Sequence, residues 1–126
     1  MMKPILLAAA ALFAASAADA RMAAPSPVQA PPDQQDNCTI SMIFGSFGAG
    51  IDGATLIRVE RRLRTDRRVR NYTRRPWGRE GEVTLCIHPV RFRDTPRLGQ
   101  DLQNMIPARP RGPIQVHMPR RLPYAR

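Results

Sequence analysis

Apolar and polar positions alternate over three stretches of this chain and recur at helical spacing over two others. Cys38-Thr-Ile-Ser-Met-Ile-Phe44 puts Cys38, Ile40, Met42 and Phe44 on one side and predicts a first strand. A glycine-rich turn follows. Between about Ile51 and Arg64, Leu56, Ile57, Val59 and Leu63 return at three- and four-residue intervals, while Arg58, Arg61, Arg62 and Arg64 take the outer face, as in an amphipathic helix. Glu60 stands four residues before Arg64, the favourable order for a helical ion pair. Arg68 to Arg75 reads as a weaker strand whose main apolar residues are Val69 and Tyr72, and its four arginines suit an exposed sheet edge. Trp77-Gly-Arg-Glu-Gly81 makes a turn, and Glu82 to His88 alternates again with Val83, Leu85 and Ile87 on one side. Thr95 before Pro96 predicts the start of a second helix carrying the stripe Leu98, Leu102, Met105 and Ile106. Pro107 to Gly112 ends that helix, and Ile114, Val116 and Met118 form a last alternating strand.

The order strand, helix, strand, strand, helix, strand predicts an α+β domain, and hairpin and crossover rules favour a ferredoxin-like split βαβ sandwich. Its four-stranded antiparallel sheet runs 4-1-3-2, with both helices on one face. In that topology the Gly45 to Gly53 loop, the Pro76 to Glu82 hairpin and the Pro107 to Pro113 loop all gather at one end. Cys86 is out of phase with Leu85 and Ile87, whereas Cys38 is in phase with Ile40 and Met42. A bond between the two cysteines therefore requires Cys38 to lie just before the strand, or a bulge to reset the phase.

Outside these stretches the pattern changes. Met1 to Lys3 is a short basic start, Ile5 to Ala18 is apolar and uncharged, and Ala18-Asp-Ala20 offers small residues for cleavage before Arg21, so residues 1–20 read as a secretory signal peptide. The apolar run falls short of the roughly 18 to 20 residues that a membrane span needs, so no stable span is expected after cleavage. Residues 21–37 are rich in Pro, Ala and Gln without periodicity and predict a flexible spacer. A single domain over 38–118 and a basic tail over 119–126 complete the division. The expected location is periplasmic or secreted.

An oxidising compartment changes the reading of the two cysteines, Cys38 and Cys86, which become a disulfide pair. Lys3 is the only lysine among 20 basic residues, and the formal net charge is +10. Arginine without lysine beside abundant Ala and Pro is what GC-rich coding produces, so part of this basicity is compositional. Excess positive charge still attracts polyanions, and the arginines at 58, 61, 62, 64, 67, 68, 70, 74 and 75 predict a basic flank.

The segments Phe44-Gly-Ser-Phe-Gly-Ala-Gly-Ile-Asp-Gly53 and Arg75-Pro-Trp-Gly-Arg-Glu-Gly-Glu82, followed by Thr84-Leu-Cys86, resemble a pattern in short secreted proteins of GC-rich Gram-negative bacteria. The resemblance covers the predicted domain and not its tails. It implies a shared structure and carries over no activity.

Gly48-Ala-Gly-Ile-Asp-Gly53 is a literal G-x-G-x-x-G between a strand and a helix, yet Thr73 and Arg74 stand where a ribose-binding acid belongs. The loop also lacks the Gly-Lys-Ser/Thr of a P-loop. Its glycines are read as allowing a tight turn at positive φ and its amides as able to hold a small anion, while Asp52 is ambiguous between a functional carboxylate and a helix cap, which would occupy the same position. Glu80 and Glu82 resemble an acid–base pair, although alternating hairpin carboxylates more commonly pair with arginines, Arg79 among them. His88 and His117 fall at the opposite end of the sheet, about five residues or roughly 16 Å away, so no Ser-His-Asp or metal cluster assembles. These observations favour a binding or interaction module without catalytic residues, cofactor or metal. The alternatives are a nonspecific binder of lipopolysaccharide or nucleic acid, and an enzyme whose site follows no familiar pattern. The candidate surface is Phe47, Asp52, Trp77, Arg79, Glu80, Glu82, Arg109 and Arg111, facing an anionic periplasmic component or another protein.

Overall fold

A computed structural model describes residues 37–118. The expected signal peptide, the spacer up to residue 36 and the 119–126 tail lie outside the described residues. The elements are β1 (Ile40–Phe44), α1 (Gly53–Thr65), β2 (Val69–Pro76), β3 (Val83–Pro89), a 3-10 turn at Phe92–Asp94 leading into α2 (Thr95–Asn104), and β4 (Ile114–His117). All three strand pairings are antiparallel and the sheet order is β2-β3-β1-β4, which is 4-1-3-2 when counted from the other edge. The domain is therefore α+β, with two helices and a four-stranded antiparallel sheet.

Period-two alternation in the central strands and helical spacing in α1 and α2 converge on one core. Ile40, Met42 and Phe44 of β1 and Val83, Leu85 and Ile87 of β3 cluster with Leu56, Val59 and Leu63 of α1 and Leu98 and Leu102 of α2. Val69 and Tyr72 of β2 and Ile114 and Val116 of β4 close its flanks. Each fully buried aliphatic side chain of this kind stabilises the fold by about 1.5 to 3 kcal/mol relative to exposure.

Several expectations are corrected in detail. Helix α1 begins at Gly53, not Ile51, because Asp52 takes the capping position. Ile57 is 57% exposed: it lies about 100° around the helix from Leu56, beyond the stripe that Leu56, Val59 and Leu63 turn inward. Glu60 pairs with Arg74 at 3.4 Å and lies 3.4 Å from the Tyr72 hydroxyl, instead of pairing along the helix with Arg64. Thr95 does open α2, but its Oγ1 is buried without a partner. The 3-10 turn runs directly into the helix and leaves Asp94 in the cap position, without a side-chain bond.

The lower corner of the domain is an ion network. Arg68 reaches Asp66 and Asp101 at 2.7 Å each, joining the α1–β2 turn to α2. The hydrogen bond from Arg68 holds the Asp66 carboxyl well below the usual range, against an opposing push from burial.

The cysteine phase conflict is resolved at the entry to β1. Cys38 lies before the strand, which begins at Ile40, so the alternation of Ile40 and Met42 does not fix its direction. It bonds Cys86, which lies opposite Ser41 in the register and on the sheet face away from the core cluster, with a Cα–Cα distance of 5.0 Å. A link across 48 residues of sequence restricts the unfolded chain and stabilises the domain by about 4 kcal/mol in the chain-entropy account. The double substitution Cys38→Ala/Cys86→Ala should lower the unfolding free energy in urea by about that amount, and an unchanged urea midpoint would contradict this role.

Candidate functional site

Pairing in the sheet determines which loops meet. Pro76 pairs with Val83, Val83 with Phe44, and Phe44 with Ile114, so one row crosses all four strands. The connections after β1, between β2 and β3, and before β4 consequently leave from the same end.

They are bonded to one another there. Gly45 N–H donates to Pro113 O at 2.8 Å, and Arg111 N–H donates to Asp52 Oδ2 at 3.2 Å. Gly112 packs directly on Gly45: a Cβ there would collide with the Gly45 carbonyl oxygen. Ser46 is the centre of the arrangement. Its Oγ accepts the N–H groups of Gly48 and Gly50 at 2.9 Å each and donates to Glu80 Oε2 in the hairpin. The positive φ of Gly48 and Gly50, 117° and 88°, turns both amides inward onto that oxygen, a conformation that suits glycine. The loop that resembles a dinucleotide fingerprint thus directs these amides to its own serine, and the expected hold on a small anion is corrected at these two groups.

Asp52, ambiguous in the sequence, is the cap of α1. Its Oδ1 accepts from Thr55 N–H at 3.1 Å. Burial pushes its carboxyl upward, but the amides of Thr55 and Arg111 and the nearby Arg58 charge outweigh that and hold it below its ordinary 3.8.

The hairpin is braced by two bonds. Trp77 Nε1 donates to the fully buried Thr84 Oγ1 at 3.0 Å, and Glu82 Oε2 accepts from Glu80 N–H at 2.7 Å. Gly78, at φ 68°, leaves room for the Glu82 carboxylate where any Cβ would strike it. Glu80 and Glu82 therefore bond to a hydroxyl and an amide, and the expected brace between Arg79 and Glu80 is replaced by Glu80 with Ser46.

An open cleft of about 590 Å³ lies beside the hairpin, lined by Arg74, Pro76, Trp77, Arg79, Glu82 and Val83 among others. That volume lies within the range common for small-ligand sites. Of the predicted surface, the cleft brings together Trp77, Arg79 and Glu82. Phe47, 64% exposed, and the exposed Glu80, Arg109 and Arg111 belong to the same end but outside the cleft, and the buried Asp52 serves the cap. Arg74 and Ser46 were not in the predicted surface. A Ser followed by Gly two and four residues later is a signal for a side-chain-centred turn, and Arg74 needed the strand pairing to place it.

The histidines lie away from this end. His88 approaches Thr39 Oγ1 at 3.3 Å and His117 approaches Gln115 Oε1 at 3.2 Å, and β1 separates their strands. Among the described residues no cluster of His, Cys, Asp or Glu could hold a metal ion.

Asp52→Ala should cost about 1 to 2 kcal/mol at pH 7, as for a lost helix cap. Because the folded carboxyl titrates below 3.8, its contribution is complete above that value and fades as pH falls through the lower folded value. Denaturation of wild type and variant between pH 7 and pH 2 should therefore converge at the acid end; a constant gap would contradict the ionised cap.

No family model, no curated protein and no solved structure matches the chain.

Proposed function

We propose that the chain is an extracytoplasmic, non-catalytic binding module whose ferredoxin-like sandwich presents the three-loop end and its hairpin cleft to a partner. The observation that carries this reading is the cleft itself: Trp77 and Pro76 form an apolar wall beside the exposed guanidiniums of Arg74 and Arg79, on a hairpin held rigid by Thr84, Ser46 and Glu82. Rigid aromatic and arginine groups are the kinds of residue that dominate binding energy. The strand order and the core shared by both helices support the ferredoxin-like assignment. The Cys38–Cys86 bond, the absence of a helix among the described residues long and apolar enough to cross a membrane, and the signal-like residues 1–20 support the location.

Arg79 is exposed, so Arg79→Ala should leave stability within about 0.5 kcal/mol of wild type. Trp77 is left in place for the test because its indole is bonded to buried Thr84. With a photo-crosslinking residue at Phe47, beside Ser46, periplasmic extract should yield a defined adduct that Arg79→Ala removes. The same adduct from the exposed position 57 on α1, or its persistence in Arg79→Ala, would refute the reading.

A second reading rests on exposed arginines at 58, 61, 64, 67 and 70 along α1 and the start of β2, with Arg62 and Arg68 engaged by Asp66 and Asp101. Such a flank binds polyanions by releasing their counterions. Heparin affinity should fall steeply between low and physiological salt, and salt-independent binding would exclude the mechanism.

A further inference from the structure

The most exposed strand in the sheet is also one of its edges. β2 is eight residues long, and Arg70, Asn71, Thr73, Arg74 and Pro76 are exposed along it. Among the described residues only β3 pairs with it. Trp77 N–H donates to Glu82 O, which sets the phase of the antiparallel ladder: Arg75 and Thr73 turn their backbone groups toward β3, and Tyr72, Arg74 and Pro76 turn theirs outward. The outer edge therefore presents N–H and C=O groups at Tyr72 and Arg74 and a carbonyl at Pro76, which has no N–H and ends the row. The irregularity between Val69 and Asn71 ends it on the other side.

We infer that this edge takes an extended acidic peptide as an added strand, whose end enters the Trp77–Arg79 cleft. Two features of this edge select that occupant. Backbone donors and acceptors alternating along an edge are complemented by another peptide backbone, whereas a phosphate or sulfate polymer would satisfy the donors and leave the carbonyls unpaired. The side chains beside them are cationic: Arg70 is exposed, Arg74 is 56% exposed even while paired with Glu60, and Arg79 borders the cleft at the end of the row. Charge on an edge strand also discourages pairing between copies of the same chain, and an acidic strand meets attraction where a second arginine-rich edge meets repulsion. The cleft end of this inference rests on the reading proposed above; the edge stands without it.

The test uses the full mature chain at low salt and a peptide of alternating Glu and Thr as long as β2. A Lys–Thr counterpart, the Glu–Thr peptide N-methylated at alternate residues, and polyphosphate serve as comparisons. Amide hydrogen exchange read by NMR should slow by at least about tenfold at Tyr72 and Arg74 when the acidic peptide binds, since a new ladder bond must open before exchange. The Lys–Thr and N-methylated peptides should fail to produce this protection. Absence of binding by the acidic peptide, binding without protection at those two amides, equal binding by the N-methylated peptide, or equal protection by polyphosphate would each overturn the inference. Arg79→Ala separates the two proposals. If it leaves peptide affinity unchanged while edge protection persists, the edge stands and the cleft reading fails; if it weakens binding while no protection is seen, the cleft reading stands and the edge fails.

Discussion

The register between β1 and β3 is the constraint on which the rest of the domain depends. Ile40 opposite Ile87, Met42 opposite Leu85 and Phe44 opposite Val83 put six apolar side chains on one sheet face, where both helices cover them. A slip by one residue would send all three from either strand to the other side. The same parity turns Cys86 and Thr84 away from the core, toward the disulfide and the Trp77 indole. It also sets the row from Pro76 to Ile114 that brings three connections to one end. Core, cross-link and candidate site are thus consequences of one alignment.

At that end, the glycines and short polar residues act together. Ser46 needs Gly48 and Gly50 to turn their amides inward, Glu82 needs the space at Gly78, and Gly45 needs Gly112 bare of a side chain. At Gly78 and Gly112 a Cβ would obstruct the neighbouring carboxylate or backbone, whereas at Gly48 and Gly50 the space is open and it is the positive φ that suits glycine. The resulting hairpin positions Trp77 and Arg79, and both of its carboxylates accept hydrogen bonds that hold the loops together. The arginine excess divides in the same structural terms. Asp66, Asp101 and Glu60 engage Arg62, Arg68 and Arg74 at the corners of α1, β2 and α2, while Arg58, Arg61, Arg64, Arg67 and Arg70 are exposed, where a charge adds little to stability.

Strand alternation and helical spacing are local properties of the chain, so the sequence alone determined the six main elements, the α+β class, the core residues of β1 and β3 and the exposed character of β2, while Asp52 became a cap only in the structure. It also narrowed the cysteine pairing to two geometric routes, of which the structure takes the earlier entry of Cys38. Only the tertiary structure decided which neighbours the polar groups find. Glu60 meets Tyr72 and Arg74 and not Arg64, Glu80 meets Ser46 and not Arg79, and the Thr95 hydroxyl meets no partner. Arg74 joins Trp77 beside the cleft for the same reason. Burial of an apolar stripe depends on a period within one segment, whereas a hydrogen bond depends on the angle and distance between groups that distant segments bring together, and those distances exist only once the sheet has paired.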